Sequence, residues 1–188
     1  MTTPAAEFAL ADLAFRLGAA QVAGLSPAER KLAAAAAAWS AAAPGGPRSG
    51  RAGPHGTDQL RDRIRAGEDP LGEAFCRIRA PRQRRRAGQT FTPGPVVDSM
   101  VAWAARNLAP ARVVDPGAGS ARFLAAAGRR WPAARLLGLE TDPLAAVIGR
   151  ATLAAAGLAD RAVIELADYR TARLPAVCGP TLFLGNPP

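Results

Sequence analysis

Asp115-Pro116-Gly117-Ala118-Gly119-Ser120-Ala121-Arg122-Phe123 follows the short apolar run Arg112-Val113-Val114 and leads into a helix-forming stretch that reaches Arg130. Strand, glycine-rich turn and helix in that order let the backbone approach a ligand closely, with the first N–H groups of the helix turned toward it. In a dinucleotide site such a helix start faces a pyrophosphate. Here Arg122 stands where that fingerprint has its third glycine, and Asp115 closes the strand. An acid at this point suits a ligand with a positively charged amine. Taken alone, the turn also fits other nucleotide-binding folds.

The same pattern repeats outward. Leu136 to Leu139 is a second expected strand ending at Glu140, Ala162 to Leu166 a third ending at Asp168, and Thr181 to Leu184 a fourth ending at Asn186. Helices are expected from about Ser120 to Arg130 and from Asp142-Pro143 to near Gly157. Ahead of the first strand, Val96 to Leu108 carries an apolar stripe of Val97, Met100, Val101, Ala104 and Leu108. Polar residues closing every strand on one edge mark an open parallel sheet, an α/β architecture whose ligands lie beyond the carboxyl ends of its strands.

On that rim Glu140 is placed to accept hydrogen bonds from ribose hydroxyls, about twenty residues beyond the turn, as in other nucleotide folds. Asp168 can accept from an adenine amino group, with Tyr169 beside it as a stacking surface. Each acid alone is more commonly a solvated strand end; three in register point to a site. Gly185-Asn186-Pro187-Pro188 adds a different chemistry. Two prolines after Asn stiffen the backbone and hold a side-chain amide and a carbonyl in one direction. Two such acceptors grip both hydrogens of an amino group and aim its nitrogen lone pair at an electrophile.

With these residues in view, the chain resembles the class I S-adenosylmethionine-dependent methyltransferases, and within them the DNA adenine-N6 enzymes of restriction–modification type. The stretch from Asp115 to Phe123 is similar to the family's Asp-Pro-x-x-Gly-x-Gly-x-Phe motif, and Asn186-Pro187-Pro188 to its Asn-Pro-Pro-aromatic motif. Gly88-Gln89-Thr90-Phe91-Thr92-Pro93 resembles the element that precedes the cofactor motif and contacts the methionine end. The resemblance covers about Leu71 to Pro188. It implies a Rossmann-like class I methyltransferase fold with the first four strands of its parallel sheet, behind an α-helical N-terminal region. S-adenosyl-L-methionine is the implied cofactor, bound by Thr92, Pro93, Asp115, Gly117, Gly119, Glu140, Asp168 and Tyr169. Asn186, Pro187 and Pro188 are the implied catalytic residues, acting on an adenine flipped out of the duplex. Ala121 stands where the family usually has glycine, which constrains the turn. The aromatic expected after Pro188 and the later strands are absent, so a second chain supplying that half is one expectation and a non-catalytic remnant another. Protein-glutamine and ribosomal-RNA guanine amine methyltransferases, which also use Asn-Pro-Pro, are the alternatives within the reaction class. A nicotinamide-dependent oxidoreductase is disfavoured, because nothing in that chemistry requires Asn-Pro-Pro.

The remainder of the chain reads more simply. Residues 1–43 predict two alanine-rich helices, the second opened by a capping box at Ser26-Pro27-Ala28-Glu29. Residues 44–56, rich in Pro and Gly, read as a flexible linker, and residues 57–188 as a partial methyltransferase domain. Thr57 is expected to cap a short helix, and Asp69-Pro70 to start one that runs through Ile78.

In 188 residues the 24 basic side chains outnumber 15 acidic ones, for a net charge of +9, and Lys31 is the sole lysine. Codon bias explains much of the preference for Arg, but not the excess over acids, which favours a polyanionic partner such as DNA. Arg77 to Arg86 holds six arginines in ten residues. Arg82, Arg84, Arg85 and Arg86 are its candidate phosphate contacts, against the equal alternative of a solvated charged segment. Cys76 and Cys178 lack metal-like spacing and His55 is the only histidine, which argues against a zinc site or a histidine triad. No stretch approaches the roughly 20 apolar residues of a membrane span, and the N-terminus does not read as a signal peptide, so a cytoplasmic protein is expected.

Without the stacking aromatic, worth about 1–3 kcal/mol per base, and with an uncovered apolar edge on its fourth strand, this polypeptide alone is expected to show no measurable methylation. Incubation with labelled cofactor and mixed-sequence duplex DNA checks this; clear transfer to adenine overturns it.

Overall fold

The computed structural model describes residues 4–42, 54–86 and 91–187. Four parallel strands form one sheet in the order β3-β2-β1-β4, with β1 at Arg112–Asp115, β2 at Arg135–Glu140, β3 at Ala162–Leu166 and β4 at Thr181–Phe183. The register pairs Asp115 with Gly138 and Glu140 with Leu166, so all carboxyl ends reach the same edge. Val113, Val114, Leu136 and Ile164 are buried, the apolar content a strand needs when both of its faces are covered.

Two helices alternate with the first three strands: α7, Arg122–Arg130, and α8, Pro143–Ala155. Asp142 caps α8 by accepting from Leu144 and Ala145 N–H, and Gly157 (φ +75°) lies just past its end, as the sequence predicted. Helix α6, Gly94–Ala104, buries Val97, Val101 and Ala104 in a cluster with Phe123, Leu124 and Leu184. It stops short of the expected Leu108, which is exposed while its carbonyl accepts from the Trp131 indole at 3.3 Å. Strand β4 is likewise one residue shorter than expected. It is a sheet edge carrying Phe183 at 60% exposure.

The N-terminal helices α1, Pro4–Arg16, and α2, Pro27–Ala42, share a core with the sheet's own helix. Leu10, Ala14 and Leu17 pack with Leu144, Val147, Ile148 and Ala151 of α8, joined by Ile64 of α3, Pro54–Arg65, and Phe75 of α4, Pro70–Ile78. Helix α3 corrects the linker expectation. It starts at Pro54, inside the stretch read as helix-free, and places Thr57 within the helix rather than at its cap. Proline is tolerated in a first helical turn, and the helix formers that follow can carry the turn onward. Residues 44–53 lie outside the described ones.

One guanidinium locks these parts together. Arg150 in α8 has no exposed surface, nor does Glu29 in α2, and their side chains pair at 2.6 Å. Arg150 also donates to the carbonyls of Val22 (3.0 Å), Ala23 (2.6 Å), Gly24 (2.7 Å) and Ile164. This draws residues 22–24 along the outer edge of β3, where Ala23 bridges Val163 in parallel. A Cβ on Gly24 would stand 2.4 Å from the Ile164 carbonyl oxygen, so only glycine permits the approach. The expected capping box is present too: Ser26 N–H donates to Glu29 Oε2 at 2.8 Å, and Glu29 N–H to Ser26 Oγ at 3.2 Å.

Removing one member of a fully buried pair leaves an uncompensated charge, at a cost of about 3–5 kcal/mol. Glu29→Ala is therefore expected to lower the melting temperature by roughly 10 °C, given about 2–4 °C per kcal/mol for a chain of this size. Thermal unfolding followed by circular dichroism measures it, and a drop under about 3 °C would show that the lock is dispensable.

Candidate functional site

Asp115 closes β1 with its side chain fully buried. Its Oδ1 accepts from Gly117 N–H at 3.1 Å, while Oδ2 is buried without a partner among the described residues. Burial pushes this carboxyl up to about 7; the Gly117 hydrogen bond pulls the other way, and the neighbouring Glu140 charge adds to the rise. The turn beyond is left-handed at Gly119 (φ +51°) and at Ala121 (φ +61°, ψ 26°). That conformation costs an alanine about 1–2 kcal/mol, and is the constraint expected where the motif has glycine. Gly149 of α8 backs the turn, since a Cβ there would meet the Gly119 carbonyl oxygen at 2.8 Å.

Glu140 reaches the turn from β2. Its Oε2 accepts from Gly119 N–H at 2.8 Å, and its Oε1 from the N–H groups of Thr141 (2.8 Å) and Asp142 (2.9 Å). Burial raises its pKa despite these three donors. Among the described residues Oε2 is given only the Gly119 hydrogen bond, which leaves it a further lone pair. Asp168 lies two residues past β3 with its carboxylate held by Arg170 at 2.5 Å, which lowers it to about 2. Its accepting capacity is thus shared with an arginine whose side chain is 73% exposed. Tyr169 beside it is 38% exposed.

The fourth strand end comes close to the first. A Cβ on Gly185 would stand 2.3 Å from Asp115 Oδ1, so glycine is what lets the strand lie on the carboxylate. Asn186 follows, and its Nδ2 donates to Thr92 Oγ1 at 3.5 Å. Thr92 and Pro93 precede α6, and Pro187 is exposed. Pro188 and Gly88-Gln89-Thr90 lie outside the described residues. The structure thus brings Thr92, Asp115, Gly117, Gly119, Glu140 and Asn186 together, with Asp168 and Tyr169 at the next strand end.

Several neighbours were not singled out from sequence. Asp69, buried at the N-cap of α4, accepts from Gly72 N–H at 2.9 Å, from Ser120 Oγ at 2.5 Å and from Arg122 Nε at 3.1 Å. Phe91 stacks obliquely on Phe75, with ring centroids 5.6 Å apart, and its ring edge faces Gly119. Asp69 is signalled only by the Asp69-Pro70 helix start and Phe91 only by its place in Gly88-Gln89-Thr90-Phe91-Thr92-Pro93; a partner 53 positions away leaves no trace in local pattern. The arginine run is also divided. Arg79 turns inward to Glu7 (2.6 Å) and Asp142 (2.8 Å) and covers the Phe75 ring, so it is not part of a phosphate-facing patch. Arg82 is exposed on the short helix α5, Pro81–Arg86. The side chains of Arg84, Arg85 and Arg86 lie outside the described residues.

No family model matches the chain. Over 143 residues it is 48% identical to the Type II methyltransferase M.XamI of Xanthomonas campestris pv. amaranthicola, a match covering 72% of this chain and 25% of that protein. It is 36% identical over 93 residues to a tRNA1(Val) (adenine(37)-N6)-methyltransferase of Porphyromonas gingivalis, covering 46% of this chain and 36% of the relative. A solved structure from Klebsiella pneumoniae, described as a candidate O-methyltransferase, is 19% identical with a TM-score of 0.42, over 81% of this chain and 57% of that one. The chain therefore spans a quarter of the first of these curated relatives and just over a third of the second, and over those spans it is similar in sequence to methyltransferases.

Proposed function

We propose that this chain binds S-adenosyl-L-methionine across the rim and serves methyl transfer to the N6 amine of adenine in DNA. The observation that carries the reading is the meeting of the two motifs: Gly185 rests on the Asp115 carboxylate, so the cofactor turn and Asn186 share one place. The residues present fit the cofactor. Asp115 Oδ2, without a partner among the described residues, is an acceptor suited to an ammonium, Glu140 Oε2 retains capacity for a ribose hydroxyl, and Tyr169 offers a ring face. When bound, the cofactor supplies an activated methyl group, so no metal or covalent intermediate is required of the protein.

The protein's part is orientation. Asn186 Oδ1 and the Pro187 carbonyl accept the two amine hydrogens, which leaves the nitrogen lone pair directed away from the protein chain. The stiff Pro187 holds those acceptors in place before substrate arrives. Fixed dipoles of this kind need no reorganisation during transfer. Likeness to M.XamI and the excess of arginine support DNA as the substrate; likeness to the tRNA enzyme supports the second reading, an adenine in tRNA. Competition of duplex DNA and tRNA for the chain at low and moderate salt decides between them. DNA is expected to bind more tightly at both, and tRNA displacing it at moderate salt favours the second reading.

Asp115 gives a second test. A buried acid raised to about 7 contributes stability that is present below its unfolded pKa and lost as pH rises through about 7. The unliganded protein should lose that contribution between about pH 4 and 7, with little further change up to pH 8.5, and Asp115→Asn should flatten the dependence. Cofactor affinity should run the opposite way, rising up to about 10-fold per pH unit below 7, because only the carboxylate pairs with the amine. Calorimetric titrations across this range read it; an affinity indifferent to pH in wild type removes Asp115 from the site.

A further inference from the structure

We infer that Arg122 is a positioning residue that ties the cofactor turn to the segment 91–93 on which the Asn186 side chain rests, an inference that rests on the reading above. Its guanidinium spans two segments distant in sequence. Nε and Nη2 meet Asp69 Oδ2 at 3.1 and 3.0 Å, and Nη1 donates to the Thr92 carbonyl. Asp69 is a fixed anchor for this fork: its side chain is 3% exposed, and Gly72 N–H and Ser120 Oγ hold it as well. Gly72 makes room, since a Cβ there would lie 2.2 Å from Asp69 Oδ2.

Residues 91–93 belong to no helix or strand, so no backbone ladder sets their position. Phe91 is held by its ring and the Pro93 carbonyl by the start of α6, which leaves the Arg122 bond to fix the peptide between them. Thr92 then passes that position on through its hydroxyl, which accepts from Asn186 at 3.5 Å. A planar fork with donors in two directions is what this geometry needs; a lysine ammonium is a point charge and satisfies the Asp69 end alone. Because Asp69 neutralises it and its side chain is only 20% exposed, Arg122 is poorly placed to serve as a phosphate contact.

Asn107 and Asn186 are the chain's only asparagines, which makes the test direct. In protein labelled with 15N-asparagine, Arg122→Lys is expected to move the Asn186 side-chain amide signals and leave those of Asn107 in place. It should also weaken S-adenosyl-L-methionine binding several-fold by displacing Thr92 and Asn186, and lower the melting temperature by only a few degrees, since the lost charge-assisted bond lies within the protein. Should Arg122→Lys fail to fold, Ser120→Ala loosens the Asp69 anchor and is expected to shift the same amide by less. Unmoved Asn186 signals in a folded variant overturn the inference. A wild type that binds no cofactor would sink the proposed function instead, while the amide shift still reads the Arg122 link.

Discussion

A charged group with no access to water sits at the centre of this molecule, and the arrangement works because each of its contacts is filled. The Arg150 guanidinium makes hydrogen bonds to Glu29 and to four backbone carbonyls. Desolvating such a pair costs several kcal/mol per ion, and only good geometry with the remaining donors satisfied returns it. Those contacts come from the loop at residues 22–24, from α2 and from β3. Folding this one side chain inward therefore requires the N-terminal helices and the sheet to come together. The same helix α8 carries Gly149 against the glycine turn and starts at Asp142, whose N–H donates to Glu140. The site is consequently built on the element that the buried ion pair secures.

That dependence explains which parts of the structure were legible in the sequence. Strand β1 is legible to the residue, and so are the ends of β2 and β3 at Glu140 and Leu166, because a strand, its closing acid and the helix after it are local patterns. Helix α8 was legible for the same reason, with Asp142-Pro143 at one end and Gly157 at the other. The pairs that hold the site were not. Arg150 is one of many arginines, and nothing near it distinguishes the buried one from the exposed ones; its partner lies 121 positions away. Arg122 entered only as a departure from a glycine fingerprint, yet it is the side chain that joins Asp69 to Thr92. The start of helix α3 is hidden because glycine and proline before Thr57 suggest a linker, whereas proline in a first turn also starts helices.

The charge pattern of the rim gives the functional reading its physical content. A chain of net charge +9 would be expected to present cations to a ligand. Instead its strand ends collect acids, two of them buried, and burial makes each hold its proton more tightly than in water. Buried acids that remain incompletely paired are an energetic liability in the unliganded protein. A cationic ligand turns the liability into binding, because its charge stabilises the carboxylate that the protein alone disfavours. An anionic pyrophosphate would do the reverse and meet Asp115 head on. On the proposed reading, a sulfonium nucleoside with an amino-acid tail brings the positive charge that such a rim favours.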